Sequence, residues 1–288
     1  MKVNPVPRAL AVALVIGAVG VGPAAAQFDV PRPSPKATVS QVVGLTEVSI
    51  AYCRPGVKGR TIWGGLVPYD QVWRTGANEA TTITFSTDVA IDGKALTAGT
   101  YGLFTIPGKD EWTIIFNKGA KQWGAYEYKQ ADDVLRIKVK SQSAPFAERL
   151  TFSFPNTATD MTDVAMNWEN VQVAFALKVD VVTKVLADAR KALAEAKPDD
   201  WRTPLRAAAF CADSNVNLAE ALTWADKSIA IAPAYYNTFT KARLLAATGK
   251  KAEAIDLARK AIELGQKAQP KADTMPAERA LVEWSSGK

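Results

Sequence analysis

Histidine is absent from the 288 residues, and only two cysteines, Cys53 and Cys211, are present. Without histidine there can be no Ser-His-Asp or Cys-His catalysis, no zinc site with histidine ligands and no histidine proton shuttle. Two thiols are too few for an all-cysteine zinc site or a disulfide scaffold, although they could form a single bridge. We therefore predict no cofactor and no metal site, and any chemistry would depend on Asp, Glu, Lys, Tyr, Arg or Cys side chains.

Two further features are missing beyond the first 26 residues. The formal net charge is +6, but no cluster of Lys and Arg with interleaved aromatic residues forms the basic stripe that nucleic-acid binding requires. No later apolar run approaches the roughly twenty residues that a membrane-spanning helix needs. The sequence thus predicts no nucleic-acid partner and no membrane span after signal cleavage.

The N-terminus has the three parts of a secretory signal peptide. Lys2 and Arg8 precede an uncharged run over residues 9–22, and Ala24 and Ala26 supply the small-residue cleavage pattern. We expect residues 1–26 to be removed and the mature chain to be periplasmic or secreted, with an uncleaved N-terminal anchor as the alternative. No cysteine follows the cut to accept a lipid.

The first part of the mature chain has the pattern of an all-β domain. Residues 27–37 contain three prolines and predict an extended linker, whereas residues 38–182 alternate short Val-, Ile-, Thr- and aromatic-rich runs with Gly, Pro, Asn and Asp. The candidate strands cover 48–52, 81–86, 101–106, 112–117, 134–140, 150–154 and 171–179. Asp92-Gly93 and residues 108–110 predict tight turns. A β-sandwich or flattened barrel is the expected architecture.

After Thr183 the apolar period changes to that of helices, and the chain as a whole is expected to be α+β. Small residues recur at a spacing of 33 residues: Ala221, Ala225 and Ser228 are echoed by Ala254, Ala258 and Ala261. The unit over residues 235–268 resembles a tetratricopeptide repeat, although Ala242 and Gln266 depart from its usual Gly and Pro, and residues 202–233 form a weaker copy. Helices over 185–196 and 276–284 are expected to cap these two units.

One segment, residues 52–79, is unusually rich in cations, aromatic residues and glycine. Its candidate ligand-binding residues are Tyr52, Arg54, Lys58, Arg60, Trp73, Arg74, Asn78 and Glu79. Arginine binds carboxylates and phosphates in a bidentate manner, and aromatic faces stack on sugars or cations. The alternative is structural: the cations would pair with Asp70, Glu79 or Asp132, and the tryptophans would fill the end of the sandwich.

The same segment carries a resemblance to a known family. Residues 52–60, 62–68, 72–79, 96–101, 106–108 and 122–124 resemble the signature of the bacterial domain-of-unknown-function family 2911. The resemblance covers roughly residues 33–181 and implies an exported protein, sometimes with helical repeats behind the domain, but no activity or substrate. Cys53 stands where the family more often has Ser, which argues against a required nucleophile.

Three functional hypotheses remain open. The first is a non-enzymatic ligand-binding or scaffold protein that takes a small molecule, carbohydrate or anion at the β domain and a protein partner at the repeats. The second is a carboxylate-dependent hydrolase of an envelope component, with Glu79 as general base and Arg74 stabilising negative charge, which requires a raised Glu79 pKa. The third is a purely structural β domain with all recognition in the repeats.

Overall fold

The computed structural model describes residue 1 and residues 30–286. The predicted signal peptide, apart from Met1, lies outside the described residues. Strands occupy the chain from Lys36 to Lys178 and α-helices occupy it from Val181 to Ser285, which confirms the α+β fold class. None of the helices within the described residues is both long enough and apolar enough to cross a membrane.

Ten antiparallel strands form two sheets. In chain order they are β1 (Lys36–Val43), β2 (Thr46–Cys53), β3 (Thr82–Phe85), β4 (Val89–Ile91), β5 (Lys94–Leu96), β6 (Gly99–Ile106), β7 (Glu111–Asn117), β8 (Asp133–Lys140), β9 (Gln142–Ser153) and β10 (Met161–Lys178). The larger sheet has the order β1-β2-β3-β6-β7-β8, and the smaller has the order β5-β4-β10-β9. One face of the larger sheet packs on the core between the two sheets, and we call the opposite face its outer face.

The core lies between the two sheets and is filled by every second side chain along each strand. In β2, Val48 and Ile50 are fully buried, whereas Glu47 and Ala51 are exposed on the outer face. On one side the chain after β2 joins the sheets, because the Val57 N–H donates to the Glu148 carbonyl of β9 at 2.8 Å. This join makes the sandwich a flattened barrel on that side.

The sequence located the long strands and missed the short and half-exposed ones. Each candidate strand lies largely within an observed one, and the Asp92-Gly93 turn joins β4 to β5 with both residues at positive φ, as a two-residue hairpin requires. Strands β4 and β5 have only three residues each, too few to show a period. Strand β1 begins at Lys36, inside the predicted linker, and its residues are exposed or half-exposed on both faces up to Val43, so its alternation is weak.

The connection between β7 and β8, residues 118–132, folds back over the outer face of the larger sheet; we call it the covering segment. A small second core lies beneath it, formed by Ala80, Phe104 and Ile115 with partly buried neighbours such as Tyr128. Asn117 fixes its ends, because its amide donates to the Lys129 carbonyl at 3.0 Å and its side-chain oxygen accepts from the Gly119 N–H at 2.7 Å.

Six α-helices follow the β domain. They are α1 (Val181–Glu195), α2 (Arg202–Ser214), α3 (Leu218–Ile231), α4 (Tyr235–Ala247), α5 (Lys251–Lys267) and α6 (Met275–Ser285). Each helix from α2 to α6 contacts the next, and α2 also contacts α4. All six of the recurring small residues are fully buried between the helices. The two cysteines are both buried and free.

Candidate functional site

Trp73 belongs to a buried aromatic cluster. Its ring stacks on Trp168 with centroids 5.8 Å apart, and Trp63 and Trp112 meet it edge-on. Trp73 is 8% exposed, and its indole N–H donates to the Gly76 carbonyl at 3.1 Å. The side chain is therefore committed to the inside of the barrel and presents no face to a ligand.

Three other predicted residues bond to strand β9 at the turn after β2, and a fourth, Arg60, bonds within the turn itself. Arg54 donates through Nε to the Leu150 carbonyl at 2.9 Å and through Nη2 to Thr151 Oγ1 at 2.7 Å. The Lys58 N–H donates to the Glu148 side chain, and the buried Tyr52 hydroxyl accepts from the Phe152 N–H. Arg60 Nε donates to the Val57 carbonyl, three residues earlier in the chain. Among the described residues Arg54, Lys58 and Arg60 form no ion pair with the acids expected from the sequence, and the two arginines donate to backbone carbonyls instead.

Glu79 lies on the outer face of the larger sheet, next to Cys53 at the end of β2. Arg32 Nη1 lies 2.8 Å from its Oε1, and Lys36 Nζ lies 2.9 Å from the same oxygen. The hydrogen bond from Arg32 is the main cause that lowers the Glu79 pKa to about 2. A carboxylate so stabilised in its charged form is a poor general base, so Glu79 does not meet the requirement of the hydrolase hypothesis.

The segment before β1 is bound to the same place. Asn78, at a positive φ of 58°, donates through its side-chain amide to the Ser34 carbonyl at 3.2 Å. The Arg54 N–H donates to the Pro35 carbonyl at 2.9 Å. Residues 32–35 therefore form an ordered extension of the domain, and Arg32 is the residue that neutralises Glu79.

Arg74 is a half-buried cation on the outer side of the chain that leads from Trp73 to β3. Within the described residues it forms no salt bridge, and its Nε is buried without a hydrogen-bond partner. Burial lowers the Arg74 pKa, while the nearby Tyr126 and Cys53 act in the opposite direction. Arg74 therefore carries a positive charge that no carboxylate within the described part of the chain balances by an ion pair.

A groove of about 530 Å³ opens on the outer face between the first strands and the covering segment. Small side chains of β1 to β3 form its floor, and Lys36, Glu79, Lys121 and Trp123 stand at its edges. The backbones of Glu79 and Trp123 form an antiparallel bridge, which places these two residues side by side. Cys53 lies in the same groove, with Sγ 3.4 Å from Glu79 Oε2, and burial raises its pKa, so it is not an activated thiol.

The structure thus divides the predicted residues into two groups. Glu79 lines the groove, Asn78 precedes it and Arg74 lies near Cys53, whereas Tyr52, Arg54, Lys58, Arg60 and Trp73 serve the turn and the core, although Tyr52 also borders the groove. The groove residues that the sequence did not single out are Arg32, Lys36, Lys121 and Trp123. Only Trp123 gave a signal, as part of the 122–124 family segment, and nothing local indicated that it would lie beside a residue 44 positions earlier.

Among the described residues no group of three or more His, Cys, Asp and Glu side chains could hold a metal ion.

The comparisons with known proteins define the family and nothing more specific. No match is found among curated proteins or among solved structures. The family model described as "Protein of unknown function (DUF2911)" matches residues 34–177, half of the chain and nearly the whole β domain. The chain therefore belongs to the DUF2911 family.

Proposed function

We propose that this chain is an exported, non-enzymatic binding protein that holds its ligand in the outer groove of the β domain. The observation that carries the proposal is the exposed Trp123 at the edge of that groove. Of the eight tryptophans, all within the described residues, Trp123 alone is exposed, at 56%. An indole kept in water next to a groove is a common mark of a binding surface.

The backbone around Trp123 supports a preformed site. The Ala80 N–H donates to the Gln122 carbonyl at 3.0 Å, and the Gly124 N–H donates to the Asn78 carbonyl at 2.9 Å. Trp123 is therefore held on an added strand-like segment and does not sit at the tip of a free loop. A side chain that is rigid before binding loses little entropy when it contacts a ligand.

The helical region has a surface of its own, which supports a scaffold role. A groove of about 500 Å³ lies between α2, α4 and the start of α6, with Arg206, Tyr236, Phe239 and Arg243 among its lining residues. Tyr236 is 56% exposed there. We propose that this tetratricopeptide-like surface binds a protein partner while the β domain holds the smaller ligand.

A thermal-shift screen of the mature chain tests both surfaces. The panel contains neutral and acidic sugars, peptidoglycan fragments, organic acids and short peptides, each at millimolar concentration. We expect at least one sugar or acid to raise Tm by about 2 °C or more, as binding to the folded state requires. The shift should disappear in Trp123→Ala and persist in Tyr236→Ala, whose side chain is equally exposed.

The outcomes separate the hypotheses. A shift lost in Tyr236→Ala and kept in Trp123→Ala would place that ligand in the helical groove. If no member of the panel shifts Tm through Trp123, the proposal of a ligand at this groove fails, and a shift through Tyr236 alone would favour a purely structural β domain with all recognition in the repeats. Turnover of a hit that depends on Glu79 would replace the binding proposal with the hydrolase one.

A further inference from the structure

The groove combines an aromatic face with an excess of positive charge, and this combination narrows the class of ligand. Lys36, Lys121 and Arg74 are the cations at or beside it, and Glu79 is the one acid among its described lining residues. Arg32 and Lys36 already neutralise Glu79, at 2.8 and 2.9 Å. The remaining positive charge, on Lys121 and Arg74, has no carboxylate partner within the described residues.

The floor of the groove is flat and made of small side chains. Thr38, Ala51 and Thr82 lie side by side on the outer face, because Thr38 pairs with Ala51 and Ala51 pairs with Thr82 across β1, β2 and β3. Ala80 continues this surface toward the covering segment. Such a floor offers no separate pockets for successive side chains, but a flat ring can lie against it.

The backbone under the groove is already used. Ala51 lies on a strand with a neighbour on each side, so its peptide groups belong to the sheet. An extended peptide that binds by strand addition needs a free edge, and the floor over β2 and β3 offers none, whereas β1 at the border of the groove is the edge strand of the sheet. A chain of rings needs no backbone ladder and can lie across the floor itself, and hexaglutamate in the experiment below tests the alternative of an acidic peptide.

Two exposed aromatic side chains stand together on the covering segment. Trp123 is 56% exposed and Tyr126 is 86% exposed. Gly124 between them has a positive φ of 68°, and a side chain there would come within 2.9 Å of the Tyr126 ring, so the glycine lets the tyrosine fold back toward its own backbone. Trp123 lines the groove, and its exposed indole can stack on the apolar face of a sugar.

We propose that the ligand of this groove is a carboxylated oligosaccharide, with one sugar ring on Trp123 and its carboxylates on Lys121 and Arg74. The inference rests on the proposed ligand site. Stacking supplies affinity for rings in general, and the two unpaired cations select rings that carry a carboxylate. Arg74 is half-buried beside the groove, and its charge, which no carboxylate of the described residues pairs, adds to the attraction for an anionic ring.

Isothermal titration calorimetry of the mature chain tests the ligand class. The acidic probes are hexamers of galacturonate, of mannuronate and of hyaluronan; maltohexaose is the neutral probe and hexaglutamate is the acidic peptide. At least one acidic sugar should bind at least tenfold more tightly than both maltohexaose and hexaglutamate at 50 mM salt. Its affinity should fall as salt rises, because the contacts are ionic.

Four variants locate the binding. Trp123→Ala should weaken the acidic sugar at least tenfold, and Trp123→Phe should stay within about threefold of the wild type because an aromatic face remains. Lys121→Gln should weaken binding about three- to tenfold and flatten the salt dependence. Lys260→Gln, an equally exposed lysine on α5, is the matched control and should leave affinity unchanged. Using Lys121 avoids the risk that a half-buried Arg74 variant fails to fold.

The results that overturn this inference differ from those that overturn the binding site itself. If maltohexaose or hexaglutamate binds through Trp123 as tightly as any acidic sugar, the ligand class is wrong and the groove remains a binding site. If an acidic sugar binds equally well to Trp123→Ala, the location is wrong. If none of the three acidic sugars binds, the inference fails, and the broader panel described above then decides the fate of the groove.

Discussion

Glu79 shows how the surroundings of one residue set its chemistry. A glutamate beside arginine and tryptophan in sequence suggests a catalytic carboxylate, but the two cations that contact it belong to the segment before the domain and to the first strand. They hold its pKa at about 2, far below the ordinary glutamate value of 4.5. At neutral pH this residue is an anchor for Arg32 and Lys36, and its negative charge is already balanced when a ligand arrives.

The role of Glu79 as an anchor predicts a pH-dependent effect of Glu79→Gln. Because the folded pKa is lower than the unfolded one, the charged form contributes stability that is fully present above about pH 4.5 and is lost as pH falls toward 2. We expect the variant to lower the free energy of unfolding by about 0.5–1 kcal/mol at pH 6, since two partly exposed ion pairs are lost. Urea titrations at pH 6 and at pH 3 measure the difference, which should shrink at the lower pH.

Glu127→Gln is the control for this measurement. Glu127 lies on the covering segment, is exposed, and has no ion pair within the described residues. Its substitution should change the free energy of unfolding by less than about 0.5 kcal/mol at either pH. A pH-independent loss in Glu79→Gln would show that the residue stabilises the fold through packing and not through its charge.

At the scale of elements, the hairpin between β1 and β2 connects the larger sheet to the helical region. Gly44 in its turn has a positive φ of 58°, and a side chain there would lie 2.4 Å from a methyl group of Val181, the first residue of α1. The Thr159 carbonyl would be 3.1 Å away. Two independent constraints therefore require glycine at this position: the positive φ of the backbone and the close approach of the helix.

Gly44→Ala and Gly93→Ala separate these two requirements. Gly93, in the β4–β5 turn, also has a positive φ, but a side chain there would meet nothing within 4 Å. Gly93→Ala should cost about 1 kcal/mol from the backbone alone, whereas Gly44→Ala should cost about 1–3 kcal/mol more from overpacking. Chemical denaturation measures both values. Equal losses would mean that the hairpin does not pack on α1 in solution.

Elements with a clear period could be predicted from sequence, and contacts between distant segments could not. The alternation in β8 and the recurring small residues of α3 and α5 reflect local geometry, so they were visible in the chain itself. Trp73 and Trp123 both stand near glycine in aromatic-rich segments, yet one is buried and the other is exposed. Their difference depends on whether the chain passes between the sheets or over the outer face, which is decided by pairings such as that of Glu79 with Trp123.

At the scale of the whole molecule, the two grooves lie in parts with different architecture. The β domain presents its groove on a rigid sheet face, and the helical region presents its groove between α2, α4 and α6. In the proposed function, these separate parts would let one chain bring an envelope component to another protein. This arrangement is useful only if the protein reaches the envelope, so the functional proposal depends on export.

Export is tested by expressing the full chain in a Gram-negative bacterium and sequencing the N-terminus of the product. We expect the periplasmic fraction or the medium to contain a protein that begins at Gln27, because Ala24 and Ala26 provide the small residues that the peptidase recognises. Ala26→Leu should block processing and leave the longer form in the membrane fraction. Ala25→Leu, at the intervening position of the A-x-A pattern, should be processed as the wild type is. An unprocessed wild-type chain in the membrane fraction would identify residues 1–26 as an anchor and would confine both grooves to the membrane surface.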